Sequence, residues 1–234
     1  MRARVRVDEL MDDPAIDGTE HDHALAGLVR LNAWSRSHWL LWPRIAKTAR
    51  QVNANGRTLR VLDVATGSGD GPIAMARRAR REGINIDWTL CDVSAHALEV
   101  ARARAAAADI TVATVRCDLL REAIPARADI VINSLFLHHC DQATAQIALA
   151  RMKEAAEVAV AVTDLDRSRT GLALAWLGSR VLSRSRVVHY DALVSVRAAF
   201  TIEEARALAQ SAGLAGAQFE CAWPARWRLW WSRA

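Results

Sequence analysis

Apolar and polar positions along this chain alternate between two periods. Short runs rich in Val and Ile predict strands at Arg60–Val64, Ile84–Cys91, Ile110–Arg116, Asp129–Ser134 and Val158–Thr163. Longer stretches between them predict helices, among them Ser94–Ala108 with Ser94 as N-cap and Asp141–Glu157. Strands alternating with helices over residues 59–163 describe an α/β protein with a doubly wound parallel sheet. Upstream, a helical region from His21 to Val52 is expected to break near Pro43, and Asn53–Arg57 links it to the sheet. Residues 164–200 are too long for a simple connection and read as an insertion after the fifth strand. A helix from Thr201 to Ala212 stops at Gly213, and Ala217–Ala222 with Ala225–Ser232 form an antiparallel pair around Pro224. The pattern divides the chain into a helical cap, 1–56, and a sheet unit, 57–234.

The first predicted strand runs straight into Ala65-Thr-Gly-Ser-Gly-Asp-Gly-Pro72. Gly67, Gly69 and Gly71 permit backbone conformations closed to other residues and let a ligand approach the main chain. Asp70 and Pro72 suit the N-cap and first turn of a following helix, whose N-terminus favours anions. Three ligands compete for such a cradle. The dinucleotide pattern G-x-G-x-x-G/A fails because its last small residue is Pro72, and a P-loop fails because no Gly-Lys-Ser/Thr follows. The pattern D/E-x-G-x-G-x-G fits from Asp63 to Gly69, with Ala65 in place of the first glycine.

On these residues the chain resembles the class I S-adenosylmethionine (SAM) dependent methyltransferases. Asp63-Val-Ala-Thr-Gly-Ser-Gly-Asp70 is most similar to the ubiquinone/menaquinone C-methyltransferase branch, where alanine at the first glycine is common. The resemblance covers roughly residues 59–163 and implies a Rossmann-like seven-stranded sheet with an antiparallel last strand. An acid about 20 residues beyond a glycine turn accepts hydrogen bonds from ribose hydroxyls, and Asp92 stands at that place. By resemblance Asp118 reads the adenine amino group, Leu119 flanks the ring, and Asn133-Ser134 opens the segment between cofactor and acceptor. The implied cofactor set is Asp63, Ala65, Thr66, Gly67, Gly69, Asp92, Val93, Asp118, Leu119, Asn133 and Ser134. SAM is the expected cofactor and S-adenosylhomocysteine (SAH) the product.

Composition narrows the remaining classes. The chain has 234 residues, 52% of them hydrophobic, enough for a sizeable core. It contains no uninterrupted apolar stretch of spanning length, and its first residues have no apolar signal-peptide core. The four cysteines lack a CxxC spacing and read as reduced thiols, so a cytoplasmic location is expected. The net charge is +5, but the arginines are scattered rather than clustered, which argues against nucleic acid as a partner. The oligomeric state is not encoded in any pattern found.

The acceptor is expected to be a small phenolic, quinone-like or polyketide-type ring of secondary metabolism, methylated at O or C. Trp34, Trp39, Trp42, Trp176, His189 and Tyr190, from the cap and the insertion, are candidate acceptor contacts beside their plainer role as packing residues. His138 and His139 are the candidate bases, with Asp164, His189 and Tyr190 behind them. Asp141, Asp164 and Asp166 show no metal-ligand spacing, so no metal is expected. The C-terminal Trp223-Pro-Ala-Arg-Trp-Arg-Leu-Trp-Trp231 suits either a membrane interface or the core face of a strand, which leaves peripheral membrane contact open for a lipophilic acceptor. A non-catalytic SAM-binding partner protein and an NAD-dependent oxidoreductase are the rival functions.

Overall fold

The structure, a computed structural model, describes residues 3–7, 9–12, 23–24, 27, 30–31 and 37–233. Seven strands form one sheet: β1 Leu59–Val64, β2 Ile86–Asp92, β3 Ala113–Arg116, β4 Ala128–Ser134, β5 Ala156–Leu165, β6 Gln218–Ala222 and β7 Arg226–Ser232. Their spatial order is β3-β2-β1-β4-β5-β7-β6. β1 to β5 pair in parallel, whereas β7 runs antiparallel to both β5 and β6. The expected α/β architecture with an antiparallel last strand is therefore present. Because β1 and β4 are neighbours while β2 lies on the other side of β1, the chain reverses direction across the sheet there. A crevice opens at the carboxyl ends of the strands at that point, the usual ligand position in open α/β sheets.

Period-two alternation assigns each strand face to its own layer. Leu59, Val61, Ile130, Ile132, Ala159 and Ala161 face α1 (Trp42–Ala54) and α2 (Asp70–Arg81). Leu62, Val64, Val131, Val160 and Val162 face α4 (Gln142–Ala155) and α7 (Ile202–Ser211) in the larger cluster. Helix α3 (Ala95–Ala107) joins β2 to β3, and Ser94 caps it by accepting a hydrogen bond from the Ala97 N–H. Asp141 and Thr201 cap α4 and α7 in the same way, the latter within a full capping box with Glu204.

One of three local expectations holds and two need correction. The expected break near Pro43 is present: a 3-10 turn, Ser37–Leu40, ends there and α1 starts at Trp42, with Pro43 in its first turn, where its missing N–H costs no intrahelical bond. Asp70 is not the cap of α2; Gly69 holds that position with φ 74°, and Asp70 is the first helical residue, paired with Arg104. Trp223 is not on a strand: it sits in the β6–β7 turn, 72% exposed, while Trp227 and Trp231 are buried. The stretch 164–200 folds as two helices, α5 (Arg169–Leu182) and α6 (Arg186–Ala198). A segment at the N-terminus straps across them: Val5 N–H donates to the Arg197 carbonyl, and Leu10 and Met11 N–H donate to the buried Asp191 carboxylate. Among the described residues no helix is long and apolar enough to cross a membrane.

Candidate active site

The glycine turn leaves β1 through a series of left-handed residues. Ala65, Gly67 and Gly69 have φ of 51°, 54° and 74°. At Gly69 a Cβ would lie 3.1 Å from both Ala101 and Leu90, so glycine is needed for close packing of the turn on α3 and β2. Asp63, at the end of β1, is 5% exposed and accepts a 2.6 Å hydrogen bond from the Thr66 hydroxyl. Burial pushes its pKa up to about 7; the Thr66 hydroxyl opposes that shift and the Asp92 charge adds to it.

Asp92 ends β2 and closes onto the turn. One carboxylate oxygen accepts from the Gly67 N–H at 2.7 Å and the other from the Ser94 N–H at 2.9 Å. These bonds fix its orientation, while Val93 beside it presents an apolar side chain to solvent. Asp118, at the end of β3, is held by the Leu120 N–H at 2.9 Å and faces Arg121. Asp63, Ala65, Thr66, Gly67 and Ser134 line one cleft of about 250 Å³. The Asp63 carboxylate, the Thr66 and Ser134 hydroxyls and the open space at Gly67 suit a ligand with ammonium and hydroxyl groups such as SAM, whereas Gly69, Asp92, Val93 and Asp118 of the expected set lie off this wall.

Two residues of the expected set reach no ligand through their side chains. Asn133 is fully buried and donates to the Val64 carbonyl at 2.7 Å, so it ties β4 to the start of the turn. Leu119 is packed into the larger core cluster.

Beyond the turn lies a second cavity of about 170 Å³, and Leu135 lines both spaces. Its walls include Glu9, His138, His139, Leu174, Val196 and Arg226. His138 is buried and its Nδ1 lies 2.6 Å from Asp164 Oδ1, while its backbone N–H donates to Oδ2 of the same carboxylate. Leu165 N–H also donates to Asp164. Burial raises the pKa of the Asp164 carboxyl, but the His138 imidazole and these donors outweigh it and hold the group below its ordinary value. An ionised Asp164 selects the His138 tautomer with the proton on Nδ1 and leaves Nε2 as an acceptor. His139 packs against His138 with ring centroids 4.2 Å apart; partial desolvation and then the neighbouring ring lower its pKa. Glu9, His138 and His139 each bring a potential ligand atom within 4.8 Å of the others, a grouping not expected from the sequence.

The structure thus brings His138 and His139 to the cavity beside the glycine-turn cleft but not the other acceptor candidates. Trp176, His189 and Tyr190 are absent from the cavity wall: Trp176 is half exposed under Arg180, and His189 Nε2 lies 2.8 Å from the Ser183 carbonyl oxygen. Trp39 and Trp42 meet edge to face and pack against Arg78, which fastens α1 to α2. Trp34 lies outside the described residues. Sequence reasoning missed Glu9 and Arg226, and it took Asp164 for a base rather than the partner of His138. Only strand register brings Arg226 here, opposite Leu165.

Comparison with known proteins agrees with this geometry. Residues 61–158 match the family described as "Methyltransferase domain". No curated protein matches the chain by sequence. Among solved structures it is similar to the SAM-dependent methyltransferase SibL in its apo form (23% identity, TM-score 0.59, covering 82% of this chain and 55% of that one). It is also similar to an O-methyltransferase family 2 protein from Planctomyces limnophilus in complex with apigenin (16%, TM-score 0.61, 95% and 63%). A third is the magnesium protoporphyrin IX methyltransferase ChlM from Synechocystis with bound SAH (14%, TM-score 0.55, 95% and 90%). The chain thus spans little more than half of the SibL chain. The family match falls on the glycine turn and the strands that carry Asp92, Asp118 and Asn133, and the sheet order is that of the class I fold. Residues 61–158 thus match a methyltransferase domain, and the seven-stranded sheet around them has the class I methyltransferase fold.

Proposed function

We propose that this protein methylates a hydroxyl oxygen on a small aromatic acceptor, with His138 as the general base and Asp164 as its positioning partner. The observation that carries this reading is the cavity containing His138, which adjoins the glycine-turn cleft across Leu135. SAM, when bound, supplies a methyl group on a sulfonium, so the protein need only place a nucleophile in line and take its proton. Asp92 and Asp118 are assigned to the ribose and adenine, and Asp63 and Ser134 to the end of the cofactor nearer the cavity. His138 Nε2 accepts the phenolic proton, and the Asp164 carboxylate stabilises the imidazolium that results. Apolar walls such as Leu135, Leu174 and Val196 exclude water and present a flat ring edge-on to the transfer point.

Glu9 and Leu31 from the region 1–56, with Leu174 and Val196 from the insertion 164–200, support the view that both additions serve acceptor binding. The small-molecule O-methyltransferase among the structural neighbours fits oxygen as the target, whereas the wording around Ala65 favours the quinone C-methyltransferase branch. The histidine–aspartate pair supports oxygen, because it can take the proton of a hydroxyl placed at Nε2.

The test is methyl transfer from SAM to a panel of mono- and dihydroxylated aromatic compounds, by wild type and His138→Ala. Product methylated at oxygen, lost in His138→Ala with SAH affinity intact, supports the assignment. SAH binding without turnover on any ring hydroxyl favours the non-catalytic alternative, and methylation at carbon contradicts the role given to His138.

A further inference from the structure

Among the described residues Arg226 is the one strong cation in the wall of the His138 cavity, and the proposed methyl-transfer reaction gives it no task. It is the first residue of β7 and pairs with Leu165 at the carboxyl end of β5, so its side chain stands at the ligand edge of the sheet. Its Nε donates to Ser37 Oγ at 2.9 Å, and Ser37 lines the neighbouring cofactor cleft. That bond fixes the plane of the guanidinium at the boundary between the two spaces. Among the described residues the two Nη groups make no hydrogen bond or ion pair.

Asp164, the carboxylate that acts on Arg226 electrostatically, is committed to the His138 ring, the His138 N–H and the Leu165 N–H. Burial pulls the pKa of Arg226 down to about 10, which still leaves it charged at neutral pH. A partly buried guanidinium on a cavity wall, with its two Nη groups uncommitted to the described residues, offers an anion a charge-assisted site. Arginine presents those donors in a planar fork that matches a carboxylate.

We propose that Arg226 is an anion-reading residue and that the acceptor is a single-ring hydroxylated aromatic carboxylate, its carboxylate on Arg226 and its hydroxyl toward His138. This rests on the methyltransferase reading above and names the substrate class of that site. The cavity size agrees: its 170 Å³ is close to the roughly 150 Å³ that accommodates one benzene ring in a dry apolar cavity. The walls supply apolar faces for the ring, and Arg226 supplies the polar contact that orients it.

Calorimetric titration with benzoate and its neutral isostere benzamide, with and without saturating SAH, tests the proposal. Benzoate should bind wild type about 10-fold or more tightly than benzamide, the scale of a charge-assisted hydrogen-bonded pair. Arg226→Gln should abolish the preference, and Arg226→Lys, which keeps the charge but loses the fork, should retain part of it. Equal binding of the two probes, binding of neither, or a preference that survives in Arg226→Gln overturns the proposal. Should Arg226→Gln not fold, the wild-type comparison and Arg226→Lys decide. SAH binding without a benzoate preference removes the anion site alone. A benzoate preference without SAH binding keeps the anion site and removes the methyltransferase reading.

Discussion

Replacing Asp63 by Asn removes the carboxylate that the fold holds at greatest electrostatic cost while keeping its shape. The Asn Oδ1 still accepts the Thr66 hydroxyl. In the folded protein burial raises the Asp63 pKa from 3.8 to about 7. A carboxylic acid with a raised folded pKa binds more protons in the native than in the unfolded state between those values. Its contribution to stability is therefore most favourable below pH ~4, falls as pH rises toward ~7, and levels off above that. The shift of about 3 units corresponds to roughly 4 kcal/mol in total, of which roughly 2–3 kcal/mol falls between pH 5 and pH 8. Urea unfolding of wild type and Asp63→Asn at both pH values isolates this contribution, since all other titrating groups are common to the two proteins. The substitution should gain roughly 2–3 kcal/mol on wild type between pH 5 and pH 8, or ~4–10 °C in Tm for a chain of this size. A constant difference between the two proteins across this range refutes a desolvated Asp63. The same raised pKa makes cofactor binding proton-linked: a cationic ligand beside Asp63 should release protons near pH 7.

Asp164→Asn should lower turnover by about 100-fold or more, because an amide no longer dictates the His138 tautomer or stabilises its imidazolium; a rate and pH profile matching wild type in steady-state kinetics contradict the pairing. Ala65→Gly should leave stability unchanged or raise it by up to about 1 kcal/mol, since alanine at φ 51° is strained, whereas Ala65→Val should lower it; thermal denaturation of both variants distinguishes these outcomes. EDTA should leave turnover unchanged and added Zn²⁺ should inhibit by occupying Glu9, His138 and His139; loss of activity in EDTA, restored by a metal, gives that cluster a catalytic cation instead.

The sheet and the glycine turn with its flanking acids are legible in the sequence because both depend on local patterns. Val61, Leu62 and Val64 announce a buried strand, glycines at 67 and 69 announce a turn, and the spacing to Asp92 follows from one strand–helix–strand unit. The acceptor end depends on contacts distant in sequence. Glu9 reaches the cavity because the N-terminal strap crosses α6, and Arg226 reaches it through antiparallel pairing with β5. Neither event leaves a local signature. Trp39 and Trp42 stay ambiguous for the opposite reason: an aromatic cluster looks the same in a sequence whether it walls a pocket or, as here, fastens two helices. The positions of His138 and His139 follow from the end of the fourth strand, but the pairing of His138 with Asp164, 2.6 Å away, has no local signature.

The most direct test of the central claim is calorimetric titration of SAH and NAD into wild type and Asp92→Ala. The glycine turn closed by Asp92 predicts saturable one-to-one binding of SAH, no binding of NAD, and at least about 10-fold weaker SAH binding when the Asp92 carboxylate, proposed for the ribose, is removed. Absence of SAH binding, preference for NAD, or an Asp92→Ala variant that binds SAH as wild type does would contradict it.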